Sequence, residues 1–221
     1  MNDGYALLLS FVYVAIVVGL AETLRRAGRV SFDISRKIIH VGIGTWILPT
    51  VLLFRSPWLA ATPPAIFIVL NLASLARGWS RAMDEGAGEN IGTVFFPLSF
   101  TLLIASLWNA EGGKAALTAG LLTMAWGDAA AALIGIRFGR HRYRVGRSWR
   151  SLEGSAAMFV FSVAAVAAAG ALVNGGSYGP APILAGAALA TVLEAASRRG
   201  IDNLLVPVGT AFLLWGMGRI G

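Results

Sequence analysis

The sequence contains no cysteine. That excludes disulfide scaffolds, zinc–thiolate sites, iron–sulfur clusters and cysteine nucleophiles. Charge is scarce too. Only 13% of the 221 residues are Asp, Glu, Lys or Arg, about half the share usual in a soluble domain. There are two histidines, His40 and His141. No G-x-x-x-x-G-K-[ST] run occurs, so the chain is not a P-loop nucleotide binder. These shortages exclude a disordered chain, a solenoid of charged helices and an ordinary soluble enzyme.

Apolar residues, by contrast, make up 57% of the chain, and the mean hydropathy is +0.71. They fall in long unbroken runs, the pattern of a polytopic membrane protein. The expected fold is all-α, a single transmembrane catalytic domain over 1–221 with seven to eight spans. The runs lie near 5–24, 38–54, 58–76, 93–109, 115–136, 156–173, 180–196 and 203–218. The last is short and carries Pro207, and is expected to be tilted, broken or only partly inserted. No basic residue precedes the first run and no small-residue cleavage site follows it, so it reads as an anchor and not a removed signal peptide.

The net charge of +7 and isoelectric point near 10.8 do not require a nucleic-acid partner. Basic residues alternate between connections. Arg25, Arg26, Arg29, Arg36 and Lys37 follow the first run, Arg77 and Arg81 the third, Arg137 to Arg150 the fifth, and Arg198 and Arg199 the seventh. The other connections and the C-terminus hold only Arg55, Lys114 and Arg219. Fifteen against three sets the basic loops in the cytoplasm and the N-terminus outside.

Polar chemistry gathers at that same side. Asp128 sits inside the fifth run, nine residues before Arg137 and so about 13 Å inward at ~1.5 Å per residue. An intramembrane carboxylate costs at least ~2.5 kcal/mol on insertion scales and marks a functional candidate. A structural Asp bonded across a helix interface is the alternative. Six arginines then fall between Arg137 and Arg150, interleaved with glycines and serines. Glycines admit phosphate to backbone N–H groups, hydroxyls donate to it, and guanidinium groups fork onto its oxygens. The segment 137–155 therefore reads as a cytoplasmic polyphosphate-binding loop, with Arg137, Gly139, Arg140, Gly146, Arg147, Ser148, Arg150, Ser151 and Gly154 as phosphate-side candidates; contact with anionic lipid heads or a purely topological role is the alternative. Asp128 and Glu153 flank it, and magnesium takes one or two carboxylates plus phosphate oxygens. Lys37 and His40 share a helix face. Glu89, Thr93, Glu194, Asp202 and Asn203 complete the polar residues at this side, although Asp202 and Asn203 are also natural helix caps.

Four patches, in this order, resemble the CTP-dependent polyprenol kinase family, which includes dolichol kinase, phytol kinase and yeast diacylglycerol kinase. They are Arg36-Lys37-x-x-His40; Gly92-Thr93 opening a span; Gly127-Asp128 with Gly135 and Gly139, followed by Ser151-Leu152-Glu153-Gly154-Ser155; and Glu194-x-x-Ser197-x-x-Gly200-x-Asp202-Asn203 before Pro207. The resemblance covers most of the chain from residue 36 onward. It implies transfer of the γ-phosphate of CTP to an isoprenoid alcohol such as phytol, geranylgeraniol, polyprenol or dolichol, with Mg2+ or Mn2+. It also implies that 137–155 is the nucleotide-binding loop and that Asp128, Glu153 and Asp202 are essential acids. Asp128 and Asp202 are the expected metal ligands, with Glu153 completing the metal shell or accepting the hydroxyl proton and Asp128 the alternative base. Arg150 departs from the family pattern, where many members carry Lys, and this bears on donor preference.

The implied partners are a nucleoside triphosphate from the cytoplasm and a lipid alcohol from the bilayer, with no nucleic acid; the oligomeric state is not legible. Richness in Ala, Gly and Arg points to a GC-rich prokaryotic genome, hence to a plasma membrane. Two alternatives stand beside this reading. A CDP-diacylglycerol synthase type of cytidylyltransferase would also use CTP, but its basic-His-Gly-Gly-Asp signature is missing. A membrane transporter would use Asp128, Glu194 and His40 as an ion path, but no acid marks a route to the outer side.

Overall fold

A computed structural model describes residues 2–77, 91–145, 148–173, 178–197 and 200–218. Within them the chain is helical apart from one hairpin. The order is α1 (Asp3–Arg26), α2 (Phe32–Thr45), α3 (Ile47–Leu53), α4 (Pro57–Ala76), α5 (Gly92–Leu107), α6 (Gly113–Leu122), a π-helical turn (Thr123–Asp128), α7 (Ala129–Phe138), β1 (Arg142–Val145), β2 (Ser148–Ser151), α8 (Leu152–Leu172), α9 (Pro180–Ala196) and α10 (Asp202–Gly218). Four helical stretches are long and apolar enough to cross a membrane: α1, α4, the continuous Gly113–Phe138 rod and α8. Helices α5 and α9 are shorter and equally apolar.

Burial separates centre from periphery. The Gly113–Phe138 rod is 61% buried against 22% for α1 and 17% for α4. Helices α8 and α10 pack on the rod, α9 packs on α8 and α10, and α4 leans on α5. The core between them holds Leu103, Leu107, Leu117, Leu121, Leu122, Val166 and Leu214. Outward faces such as Leu8, Ile16, Val69 and Val160 are exposed and apolar, as lipid-facing surfaces are.

Small residues set the closest crossings. A Cβ on Gly120 would meet the Pro207 carbonyl and Ala211 of α10, and one on Gly44 would meet Ala125 in the π-helical turn. In lipid, where apolar burial drives helix association little, such close approach supplies the packing.

Three features differ from expectation. The second run does not form one span. Its helix starts early, at Phe32, because the Ser31 hydroxyl caps it by accepting from the Ile34 N–H, and it breaks at Trp46. The last run, expected to be tilted, broken or only partly inserted, is unbroken, a continuous helix through Pro207. The segment 137–155, expected to be a loop, contains an antiparallel hairpin that pairs Arg142 with Ser151 and Arg144 with Trp149, so the fold is all-α with this one exception.

Loop contacts sort into two ends. At one, the Asp3 carboxylate accepts from the backbone N–H groups of Arg55 and Ser56, and Trp215 Nε1 donates to the Glu111 carbonyl. At the other, Asn203 Nδ2 donates to the Gly92 carbonyl and Asn71 Nδ2 to that of Thr93. The chemistry-bearing residues lie at this second end.

Candidate functional site

The site is built where α2 crosses the π-helical turn. With Gly44 admitting close approach, three contacts tie the two segments. Trp126 Nε1 donates to Thr45 Oγ1 at 2.9 Å. His40 Nε2 lies 3.3 Å from the Met124 carbonyl. Lys37 Nζ forms an ion pair with the Asp128 carboxylate. Lys37 and His40 stand three residues apart on one face, and His40 Nε2 is also 3.7 Å from Asp128 Oδ2. Phe96 of α5 packs on the His40 ring, centroids 4.3 Å apart. A π-helical turn is rare and is frequently found at functional sites; this one ends on Asp128.

A second cluster surrounds Arg150. Its guanidinium forms an ion pair with Glu194 of α9. It also lies 3.5 Å from Asp202 Oδ2 and donates to the Ser197 carbonyl at 3.2 Å. Glu194 is only 3% exposed, so one planar cation is held by partners on α9 and α10. The charges of Arg150, Asp128 and Asp202 interact with one another, so the two clusters form one electrostatic unit. Burying these groups together is tolerable because each charge has an opposite partner.

Two cavities meet at this unit. One, of about 390 Å³, is lined by Asp128, Arg142, Trp149, Arg150, Ser151, Ser155 and Glu194, among others. The other, of about 1020 Å³, is predominantly apolar; Lys37, His40, Thr93, Phe96, Asp128, Arg137 and Asn203 lie along its polar end. Asp128, Ala132 and Ile136 line both.

The remaining sequence candidates fall as follows. Ser151 is 6% exposed and caps α8, accepting from the Gly154 N–H at 3.1 Å. A Cβ at Gly135, Gly139 or Gly154 would press on Ser151 Oγ, so these glycines let α7 and the start of α8 close around that hydroxyl. Arg140 is exposed and lines neither cavity.

Glu153 lines neither cavity. Its carboxylate accepts from the His141 backbone N–H and lies 2.8 Å from His141 Nδ1. Among the described residues no three His, Asp or Glu side chains converge as a metal site would require. The expected Asp128, Asp202 and Glu153 set is therefore not assembled, because Glu153 is held by the hairpin entrance. Asp128 and Asp202 each face a cation of the protein itself, Lys37 and Arg150 respectively, and magnesium commonly takes only one or two carboxylates, with phosphate oxygens and water completing its shell. Glu89, Gly146, Arg147 and the Ser148 side chain lie outside the described residues.

Sequence reasoning passed over Arg142, Trp149 and Asn71. The hairpin register was the missing signal for the first two: it sets Arg142 opposite Ser151 and Trp149 opposite Arg144. Asn71 sits in the third run without a neighbouring motif, and only its bond to Thr93 reveals it.

The fold and site together define a helical membrane protein whose clustered acids and cations stand between a large apolar cavity and a smaller, more polar one that carries two arginines and two acids. No family model matches the chain, and no solved structure does. Among curated proteins, the phytol kinase of Synechocystis sp. is 32% identical over 208 residues, covering 94% of this chain and 89% of that one. The chain belongs to the polyprenol and phytol kinase family.

Proposed function

We propose that this protein is a lipid-alcohol kinase that transfers the γ-phosphate of a nucleoside triphosphate, CTP by family resemblance, to the hydroxyl of an isoprenoid alcohol. The observation that carries this reading is the placement of Asp128 on the wall shared by the polar and apolar cavities. A kinase for an amphiphile needs one reacting point reached by a charged donor from one side and a lipid hydroxyl from the other. The phytol kinase relative supports the same class of acceptor.

Phosphoryl transfer needs positioning and charge neutralisation more than covalent chemistry. The phosphates enter the field of Arg142 and Arg150 in the polar cavity, with Lys37 across the shared wall. The alcohol lies in the apolar cavity with its hydroxyl beside Asp128 and His40. Its oxygen attacks the γ-phosphorus, the bond to the β-phosphate bridging oxygen breaks, and the nucleoside diphosphate leaves. Asp128 accepts the hydroxyl proton. Lys37, now paired with Asp128, moves its charge toward the transferring phosphoryl group. Asp128 and Asp202 would hold Mg2+ or Mn2+, which supplies charge neutralisation on the phosphate oxygens. Arg150, tied to Glu194, keeps Asp202 in place.

The alternation of basic loops supports a reading with this end of the bundle in the cytoplasm, the N-terminus outside and up to eight spans, and the Ala, Gly and Arg richness supports a prokaryotic plasma membrane. Such an arrangement lets nucleotide arrive from the cytoplasm and lipid from the bilayer.

The test is transfer by purified protein in nanodiscs. γ-Labelled CTP, ATP, GTP and UTP are each offered with magnesium and phytol, geranylgeraniol, a long polyprenol or diacylglycerol. Label in a lipid monophosphate, lost in Asp128→Asn, is expected. Release of pyrophosphate with a CDP-lipid product when phosphatidic acid is supplied as the acceptor would instead show a cytidylyltransferase. Flux without nucleotide turnover would show a transporter.

A further inference from the structure

The apolar cavity has a measurable depth and a closed floor. Its mouth lies at the polar end, where Ile34 is 40% and Ile136 74% exposed. Its far end is closed by Ser10, Thr50, Ala60 and Ile104, none more than 6% exposed. Three separate helices give the distance between them. On α5 the lining runs from Thr93 to Ile104, about 16 Å at ~1.5 Å per residue. On α4 it runs from Asn71 to Ala60, again about 16 Å at that rise. Along α2 and α3 it runs from Lys37 to Thr50, about 20 Å on the same basis.

The floor is held firmly. Trp46, at the break between α2 and α3, donates from Nε1 to Ser10 Oγ at 2.9 Å and stacks on Tyr13 with centroids 4.2 Å apart. Leu103 and Leu107, the neighbours of Ile104 on α5, are buried in the main core.

We propose that this slot is a ruler for the prenyl chain, and that Ala60 and Ile104 form its stop. The inference rests on the kinase reading above, since it takes the hydroxyl to sit at Asp128. An extended isoprene unit advances about 5 Å, four backbone carbons at standard bond lengths. The slot therefore takes three to four units from Asp128 to the floor, and a fifth meets Ala60 and Ile104. The floor is small at Ala60 and bulky at Ile104, so each can be changed in the direction that shifts the stop. Long polyprenols would have to leave the slot through its mouth.

The experiment is a length series of prenyl alcohols sharing one hydroxyl end: geraniol, farnesol, geranylgeraniol and geranylfarnesol, compared by kcat/KM. Wild-type protein is expected to use alcohols of up to four units and to lose at least ~10-fold at the fifth, the discrimination a filled apolar pocket gives per added group. Ala60→Phe is expected to lower the geranylgeraniol-to-farnesol ratio by at least ~10-fold. Ile104→Ala is expected to raise the relative use of geranylfarnesol. The two variants move the optimum in opposite directions, which a general loss of folding does not reproduce. Transfer that is flat across the series, or an optimum unmoved in both variants, overturns the ruler alone. Transfer to no alcohol by folded wild-type protein overturns the kinase reading and the ruler with it.

Discussion

Lys37 and Asp128, ninety-one residues apart in the chain, form an ion pair on the wall where the polar and apolar cavities touch. Neither side chain is more than 26% exposed. The pair thus sits where a carboxylate and an ammonium would be costly singly and tolerable together. On the proposed mechanism the same pair would supply a carboxylate to the lipid hydroxyl and an ammonium to the transferring phosphate.

Asp128→Asn is expected to reduce kcat by about 10²–10⁴-fold, the range for loss of a positioned general base, while the protein still inserts and unfolds cooperatively. Lys37→Met leaves the carboxylate without its partner and is expected to cost about 3–5 kcal/mol, the penalty for breaking a buried pair. Combining it with Asp128→Asn should recover part of that loss. Thermal unfolding of the two single variants and the double variant measures the coupling. Additive losses would show that the two groups do not interact in the folded protein.

Arg150 is expected to resist replacement by Lys. One guanidinium reaches Glu194, Asp202 and the Ser197 carbonyl, whereas an ammonium on a flexible stem is a point charge that cannot span all three. Arg150→Lys should retain Glu194 as partner, release Asp202 and lower kcat/KM for the donor by about ten-fold or more, equivalent to losing one charge-assisted hydrogen bond of ~1.5–3 kcal/mol. Initial-rate kinetics over donor concentration check this. Unchanged kinetics would mean that the fork geometry is immaterial and only the charge matters.

Gly120 tests the packing that holds the site's scaffold together. A Cβ there meets the Pro207 carbonyl and lies 2.9 Å from the Ala211 Cβ. Gly120→Ala must therefore push α10 away from α6, at the ~1–3 kcal/mol typical of overpacking. The expected result is a lower Tm in detergent. Asp202, at the start of the displaced helix, should lose activity with it. A Tm equal to wild type would show that the crossing is looser than this spacing implies.

The helices were legible because bilayer-spanning segments must be long, apolar and internally hydrogen-bonded. Helices α1, α4, α5, α8, α9 and α10 match their apolar runs to within four residues. The break at Trp46 left a cue that the unbroken apolar run obscured: Pro49 offers no N–H to the Thr45 carbonyl, and Trp46 at the break stacks on Tyr13 and bonds to Ser10. Asp128 stood out as a carboxylate in an apolar run, and Lys37 and His40 as a helix-spaced pair. Their meeting depends on Gly44 and Ala125, small residues that carry no chemical signal of their own. Glycines near the basic loop suggested phosphate contact, yet Gly135, Gly139 and Gly154 close around Ser151; composition does not distinguish a glycine admitting a ligand from one admitting a neighbouring helix.

Glu153 and Asp128 are expected to behave differently on neutralisation, although both are acids flanking the same basic stretch. Asp128 lines both cavities, whereas Glu153 lines neither and accepts from the His141 backbone while facing its ring. Its position in the first turn of α8 also suits a negative charge at a helix N-terminus. These contacts hold the entrance of the hairpin that presents Arg142, Trp149 and Arg150 to the polar cavity. Glu153 is thus a positioning residue: Glu153→Gln should raise the KM for the nucleotide by about ten-fold, one hydrogen-bond equivalent, and leave kcat within a few-fold. His141→Ala should reproduce a milder form of the same change, since the backbone N–H remains. Steady-state kinetics with saturating lipid alcohol separate the two parameters. A loss in kcat as large as that of Asp128→Asn would place Glu153 at the reacting atoms, and would require the hairpin to close further over the polar cavity than it does in this structure.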